Sequence, residues 1–144
     1  MDFHVTHHSP VFTSEEAAAV RGTPLSSGAK ALLLVLDGQP ALFVLPADRK
    51  LDSKKLRAAT STRSLRFATP DEVLTLTGLS PGSIPPFGSL FELNTFCDPA
   101  LAANESINFN AGDHAVSISL ACSDFIQSES PRLLEFSVAK EASA

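Results

Sequence analysis

Long apolar runs are missing from this chain of 144 residues. None approaches the roughly 18 residues that a membrane-spanning helix needs, so no membrane partner is expected. A secretory leader pattern is missing as well, because MDFHVTHHSPVF has no basic stretch followed by an apolar one. The expectation is a soluble protein of the cytoplasm. Cysteine is scarce: Cys97 and Cys122 stand apart, with no Cys-x-x-Cys and no metal-ligating company. That pattern reads as two buried thiols in a reducing compartment. His7 and His8 adjoin, but nothing nearby supplies a third or fourth ligand, so neither metal nor cofactor is expected. A Ser-His-Asp arrangement is not legible either. Gly82-Ser83-Ile84 is not a Gly-x-Ser-x-Gly elbow and does not join a strand to a helix, which argues against Ser83 as a nucleophile. Finally, the formal charge of -5 argues against a generic nucleic-acid binder, since non-specific affinity comes from neutralising phosphates, and no DNA partner is expected.

The positive charge that is present is concentrated. Arg49, Lys50, Lys54, Lys55, Arg57, Arg63 and Arg66 fall within one segment with only Asp52 against them, giving it +6 and the remainder of the chain -11. Two readings fit such a run: a solvated helix face, or a docking patch for a polyanion. Hydrophobic residues at 44% and charged residues at 19% are ordinary for a globular protein, and the length suits one domain over 1–144.

Local signals give a mixed architecture. Thr13-Ser-Glu-Glu16 is a capping box that predicts a helix over 14–20, closed by Gly22 and Pro24. The apolar runs 31–36 and 41–45, split by Asp37-Gly38-Gln39-Pro40, predict a central hairpin covered on both faces. Asp52 caps a helix through SKKLRAA, and 64–68 reads as a short strand. Thr69-Pro-Asp-Glu72 is a second capping box, whose helix stops at Gly78. Strands are expected over 89–93, 106–109, 115–120 and 133–138, with a short helix through 124–127 capped near Ser123. About seven short strands and four short helices, with no regular βαβ alternation, imply α+β: a mixed, mostly antiparallel, curled sheet with helices outside it. The final KEASA is expected to fray.

Two features carry chemistry. Lys30 heads the apolar strand AKALLLVL in phase with Leu32, Leu34 and Leu36, which makes it either a lysine snorkelling to solvent or an anchor for phosphate or developing negative charge. The stretch Gly78-Leu-Ser-Pro-Gly-Ser-Ile-Pro-Pro-Phe-Gly88 packs three glycines and three prolines into eleven residues. Such clusters are usually turns. Here glycine would also let a ligand approach the backbone, and proline would stiffen the loop so that its remaining N–H groups aim at an oxyanion.

Taken in order, HHSPVFTSEEAAAVRGTPLSSGAKALLL, LPADRKLDSKKL, the Gly/Pro loop and NFNAGDHAVSISLACSDF resemble the YbaK/EbsC and prolyl-tRNA-synthetase-associated editing domains, which are aminoacyl-tRNA deacylases. The resemblance implies that family's fold, a mixed sheet curled toward a barrel with helices around it. It also implies hydrolysis of the ester joining a wrong amino acid to the tRNA 3' end, mostly on tRNA for proline. Lys30 matches the lysine that engages the backbone of the tRNA 3' end. Gly82, Ser83, Ile84 and Pro85 match the loop whose amides hold the substrate carbonyl, and Phe87 and Gly88 continue that loop along the substrate. His114 in NAGDH matches a pocket histidine, and His8 a position near the pocket. Arg49, Lys50, Lys54, Lys55 and Arg57 become the expected tRNA surface. The partners implied are aminoacyl-tRNA, with tRNA-Pro first, and prolyl-tRNA synthetase.

An amino-acid ester on ribose is already activated, so its hydrolysis needs an oriented water and oxyanion donors more than a protein nucleophile. The loop here, PGSIPPFG, is longer than the GISP type of the Cys-specific branch, which leaves Ala, Ser, Thr or Cys open as the amino acid removed. The competing expectation is a catalytically silent tRNA-binding module of the same fold, acting as a regulator or complex subunit.

Overall fold

In the computed structural model, residues 2–140 are described. Met1 and Glu141–Ala144 lie outside them, and with them most of the expected frayed end and both ends of the expected 1–144 unit. In chain order the elements are β1 (Phe3–His7), α1 (Ser14–Arg21), β2 (Ala29–Leu36), β3 (Gln39–Pro46), β4 (Arg49–Leu51), α2 (Ser53–Thr60), β5 (Leu65–Phe67) and α3 (Pro70–Thr77). There follow β6 (Thr95–Cys97), β7 (Ser106–Asn110), β8 (Val116–Ala121), α4 (Cys122–Glu129), β9 (Arg132–Leu133) and β10 (Ser137–Ala139). Short 3-10 turns occupy Leu25–Ser27, Gly88–Phe91 and Pro99–Ala103.

Period-two alternation in β2 and β3 builds the centre. Leu33, Leu42 and Val44 enter one apolar cluster with Ile107, Phe109 and Phe125, while Leu34, Ala41, Phe43 and Leu45 enter the other with Leu56 and Phe136. The hairpin is therefore covered on both sides, and its neighbours extend it to the order β5-β2-β3-β6-β9. Burying each large side chain of this kind contributes about 1.5–3 kcal/mol. Lys30 shares the face of Leu32, Leu34 and Leu36, the side that α2 covers through the fully buried Leu56.

The sheet is mixed and mostly antiparallel, but the expected curl toward a barrel is not what forms. The strands divide into three separate sheets: the five-stranded one, β1-β8-β7, and β10-β4. Closure would need continuous pairing between the first two, and they meet in a single isolated bridge, Gly28 to Asn108. The outer strands are too short to carry pairing further: β5 matches β2 over Leu65–Phe67 and β9 matches β6 over two residues. The architecture is thus a mixed α+β arrangement with helices around open sheets.

Both capping boxes form as their sequences dictate: the Thr13 and Thr69 hydroxyls accept from the Glu16 and Glu72 amides, and each glutamate reaches back. Asp52 caps α2 by accepting from Lys55 N, and Gly78 ends α3 in the left-handed conformation at φ 73°. Three expectations need correction. Residues 89–93 are not a strand: Gly88–Phe91 form a 3-10 turn, because Gly88 N is drawn to Thr95 Oγ1 and Glu92 takes φ 58°. The stretch 133–138 splits between β9 and β10 around Phe136, whose amide donates to Asp98 Oδ2. Helix α4 starts at Cys122 without a side-chain cap.

Among the described residues no helix is long and apolar enough to cross a membrane. Cys97 and Cys122 are buried and unpaired, and burial pushes the Cys97 thiol up to about 12.

Candidate active site

A cavity of about 230 Å³ opens where α1, the start of β2, the Gly/Pro loop and the β7–β8 connection meet. This is small for a ligand site and suits a small guest. Lys30, Gly82, Ile84 and His114 line it together, with Phe12, Arg21 and Asn110 beside them.

The loop is shaped by peptide planes that are pinned from behind. Gly82 sits at φ 86°, a conformation that favours glycine, and a Cβ there would meet His114 Cε1 at 3.4 Å. Its carbonyl accepts from Asn110 Nδ2 at 2.8 Å, while the N–H of the same peptide, on Ser83, donates to Ser80 O at 3.2 Å. The next carbonyl, Ser83 O, accepts from Gly112 N at 2.8 Å. Because a peptide is planar, fixing that carbonyl fixes the opposed Ile84 N–H. Among the described residues neither the Gly82 nor the Ile84 amide has an acceptor within the chain. Both donors are unengaged, the Ile84 one held by its pinned peptide and the Gly82 one two residues before it in the positive-φ turn, and free backbone N–H groups are what an oxyanion requires.

The remainder of the loop turns away from the cavity. Ser83 is buried, and its hydroxyl donates to Ser80 O at 2.8 Å. Pro85 and the fully buried Pro86 carry no amide hydrogen and lead the chain into the core. There Phe87 packs edge-on against Phe109 and Phe125, with centroids 5.8 and 5.3 Å away. Gly88 is held against Thr95, and a Cβ on it would come within 2.9 Å of Leu93 O. Pro85, Phe87 and Gly88 therefore support the loop from the core side.

His114 Nδ1 lies 3.1 Å from Val11 O, which can only accept, so that nitrogen carries the hydrogen. The other ring nitrogen, Nε2, lies 3.3 Å from Ser80 Oγ. Phe12, 72% exposed, lies against the same ring at 4.8 Å between centroids and forms the mouth of the cavity. His8 stands outside the cavity. Its Nδ1 donates to Ser9 O and its Nε2 accepts from Ser117 Oγ, both at 2.8 Å, and Ser117 Oγ in turn accepts from Arg21 Nε at 2.8 Å.

Lys30 is half-buried, and its Nζ donates to Arg49 O at 3.3 Å. Burial lowers its pKa, Lys140 lowers it further, and Glu15 opposes them. Arg49 is engaged inside the fold: its Nε donates to Ser137 Oγ at 2.8 Å and a terminal nitrogen to Ser137 O at 3.0 Å. Ser137 Oγ donates onward to the buried Asp98 at 2.8 Å. Lys50, Lys54 and Lys55 are exposed and Arg57 is half-exposed, on β4 and α2 next to Lys30's strand. Arg66 does not add to this surface, because Glu72 pairs with it at 2.6 Å.

Arg21 and Asn110 were not singled out by the sequence. Arg21 stands in the last turn of α1, where a cation is ordinary, and Asn110 precedes a turn, where asparagine is ordinary. Only the strand pairing that carries Asn110 and Ser117 opposite one another brings them to Arg21.

A family model, the aminoacyl-tRNA editing domain, matches residues 8–127. The chain is 36% identical over 140 residues to the multifunctional Ser/Thr-tRNA deacylase ProXp-y of Escherichia coli strain K12, covering 94% of this chain and 84% of that protein. It is 32% identical over 110 residues to the proline–tRNA ligase of Bacillus licheniformis, covering 74% of this chain but 19% of the ligase. In three dimensions it is similar, at TM-score 0.85 and 24% identity, to a crystal structure described as a proposed trans-editing enzyme for prolyl tRNA synthetase, over 97% of this chain and 87% of that one. The matched residues span α1, Lys30, the pinned loop and His114, so the chain belongs to the aminoacyl-tRNA editing domain family.

Proposed function

We propose that this protein is a trans-editing aminoacyl-tRNA deacylase that hydrolyses the ester of a mischarged tRNA, with tRNA-Pro carrying a small wrong amino acid as its substrate. The observation that carries the reading is the pair of unengaged loop amides, Gly82 and the pinned Ile84, on a cavity shared with Lys30 and His114. Water adds to the ester carbonyl, and the oxygen that becomes negative takes the Gly82 and Ile84 N–H groups. Collapse breaks the bond to the ribose oxygen, which recovers a proton, and the amino acid leaves as its carboxylate. One such donor contributes about 3 kcal/mol to the transition state, and holding water and ester in place contributes at least as much. Lys30 takes the phosphate backbone of the 3' end, and the exposed lysines of β4 and α2 take more of the tRNA. No cofactor enters this chemistry.

Ser and Thr head the substrates, because the Escherichia coli relative is a Ser/Thr-tRNA deacylase and the cavity is small. Ala and Cys follow. The working unit is a single domain over 1–144, acting in the cytoplasm beside prolyl-tRNA synthetase. The test is deacylation of tRNA-Pro charged with Ala, Ser, Thr, Cys or Pro, using wild type beside Lys30→Ala. Hydrolysis of a mischarged species, with Pro-tRNA spared and the rate lowered on the order of 10²-fold in the variant, is expected. Equal hydrolysis of the Pro ester would rule out editing.

A further inference from the structure

Among the described residues the charge of Arg21 has no acidic partner. The last turn of α1 carries it, half-buried, into the cavity wall, where Nε donates to Ser117 Oγ at 2.8 Å and a terminal nitrogen to Asn110 Oδ1 at 3.0 Å. Both acceptors are neutral, and among the described residues no carboxylate lies within ion-pair distance of Arg21. A guanidinium has five N–H groups, so three remain without an acceptor among the described residues. Burial lowers its pKa, but an arginine stays charged at neutral pH. A cation withdrawn from water without a counter-ion is costly, and an arriving anion removes that cost. Lys30 lines the same cavity with no carboxylate in ion-pair contact, although Glu15 acts on it through space, and among the described residues no aspartate or glutamate lines the cavity. Among the described residues the cavity lining thus holds two cations and no acid.

We propose that Arg21 is a phosphate-binding residue of this cavity, gripping the last phosphodiester of the tRNA 3' end together with Lys30. This assignment rests on the reading that the 3' end enters here. On an aminoacyl-tRNA that phosphodiester is the anion nearest the ester. The planar guanidinium offers parallel N–H groups to two phosphate oxygens, whereas Lys30 acts as a point charge. Ser117 and Asn110 already hold the fork in place, so little freedom is lost when phosphate arrives. Asn110 also pins the Gly82 carbonyl, which ties the phosphate grip to the loop that meets the ester.

Two measurements on wild type, Arg21→Met and Arg21→Lys test this. The first is binding of uncharged tRNA from about 50 to 200 mM salt, where losing one phosphate contact flattens the log–log slope by about 0.7–0.9. The second is thermal protection by inorganic phosphate, which needs no RNA. The expected result is a flatter slope and lost protection in Arg21→Met, with the slope, which counts charge, restored in Arg21→Lys and the protection restored only in part. An unchanged slope in Arg21→Met, with KM kept and kcat lowered, would overturn the assignment and leave Arg21 as a positioning residue acting through Asn110. If wild type binds no tRNA, the tRNA reading fails, and phosphate protection that Arg21→Met abolishes still upholds the anion site. Absence of that protection in wild type overturns it. Should Arg21→Met not fold, Arg21→Gln carries the same comparisons.

Discussion

The Ser83 hydroxyl donates to Ser80 O at 2.8 Å, its amide donates to the same carbonyl, and the residue is buried. A serine so committed braces the loop and leaves chemistry to its neighbours' amides. Ser83→Ala should therefore keep deacylation within a few-fold while lowering stability by about 1 kcal/mol, the usual worth of one hydrogen bond. A loss of several orders of magnitude in rate with an intact fold would make Ser83 a nucleophile. Residues whose type itself constrains geometry were readable in advance. Glycine at position 82 takes positive φ, the donorless prolines stand where the chain enters the core, and Lys30 lines a cavity at the start of an apolar strand. Arg21 and Asn110 were not readable, because their type is unremarkable where they stand and their meaning arises from β7–β8 pairing.

Elements that depend on neighbours in the chain followed the sequence closely. The two capping boxes, the Asp52 cap and the Asp37-Gly38 hairpin are each set within a few residues, and each formed. Elements that depend on distant partners did not announce themselves. Strand β1 is exposed along its whole length, and its brief alternation of Phe3 and Val5 with His4 and Thr6 buries nothing, so its register against β8 is what makes it a strand. The curled sheet failed for the same reason, since closure is a property of strand edges that lie far apart in sequence. The second capping box also gives a pH test. The Arg66 hydrogen bonds, then the Thr69 amide, hold the Glu72 carboxyl down from 4.5 to about 2. A depressed carboxylate stabilises the fold fully above its ordinary pKa, and that contribution is lost as pH falls toward the folded value. Glutamine can still close the capping box, so Glu72→Gln removes the charge alone. The melting-temperature advantage of wild type over Glu72→Gln should shrink as pH falls from 4.5 to about 2. A difference that stays constant over that window would show that Arg66 does not hold the charge.

At the scale of the whole molecule, a chain of formal charge -5 is proposed to bind a polyanion, which works only if its cations share one surface. Lys50, Lys54 and Lys55 do lie exposed on β4 and α2, and Lys30 reaches that side through Arg49 O. Reversing charge at Lys54, Lys55 and Arg57 should weaken tRNA binding and flatten its salt slope by about 2 or more. Binding that is unaffected would remove this surface from the account. The central claim is that the loop amides turn bound ester over, and steady-state deacylation of mischarged tRNA-Pro by wild type and Gly82→Val tests it most directly. Valine at φ 86° is strained and crowds His114, so the amides shift while the basic surface stays. Many equivalents of amino acid released per wild-type chain are predicted, with kcat falling on the order of 10²-fold in Gly82→Val and tRNA affinity little changed. Wild type that binds the tRNA and leaves its ester intact, or Gly82→Val that works at the wild-type rate, would contradict it.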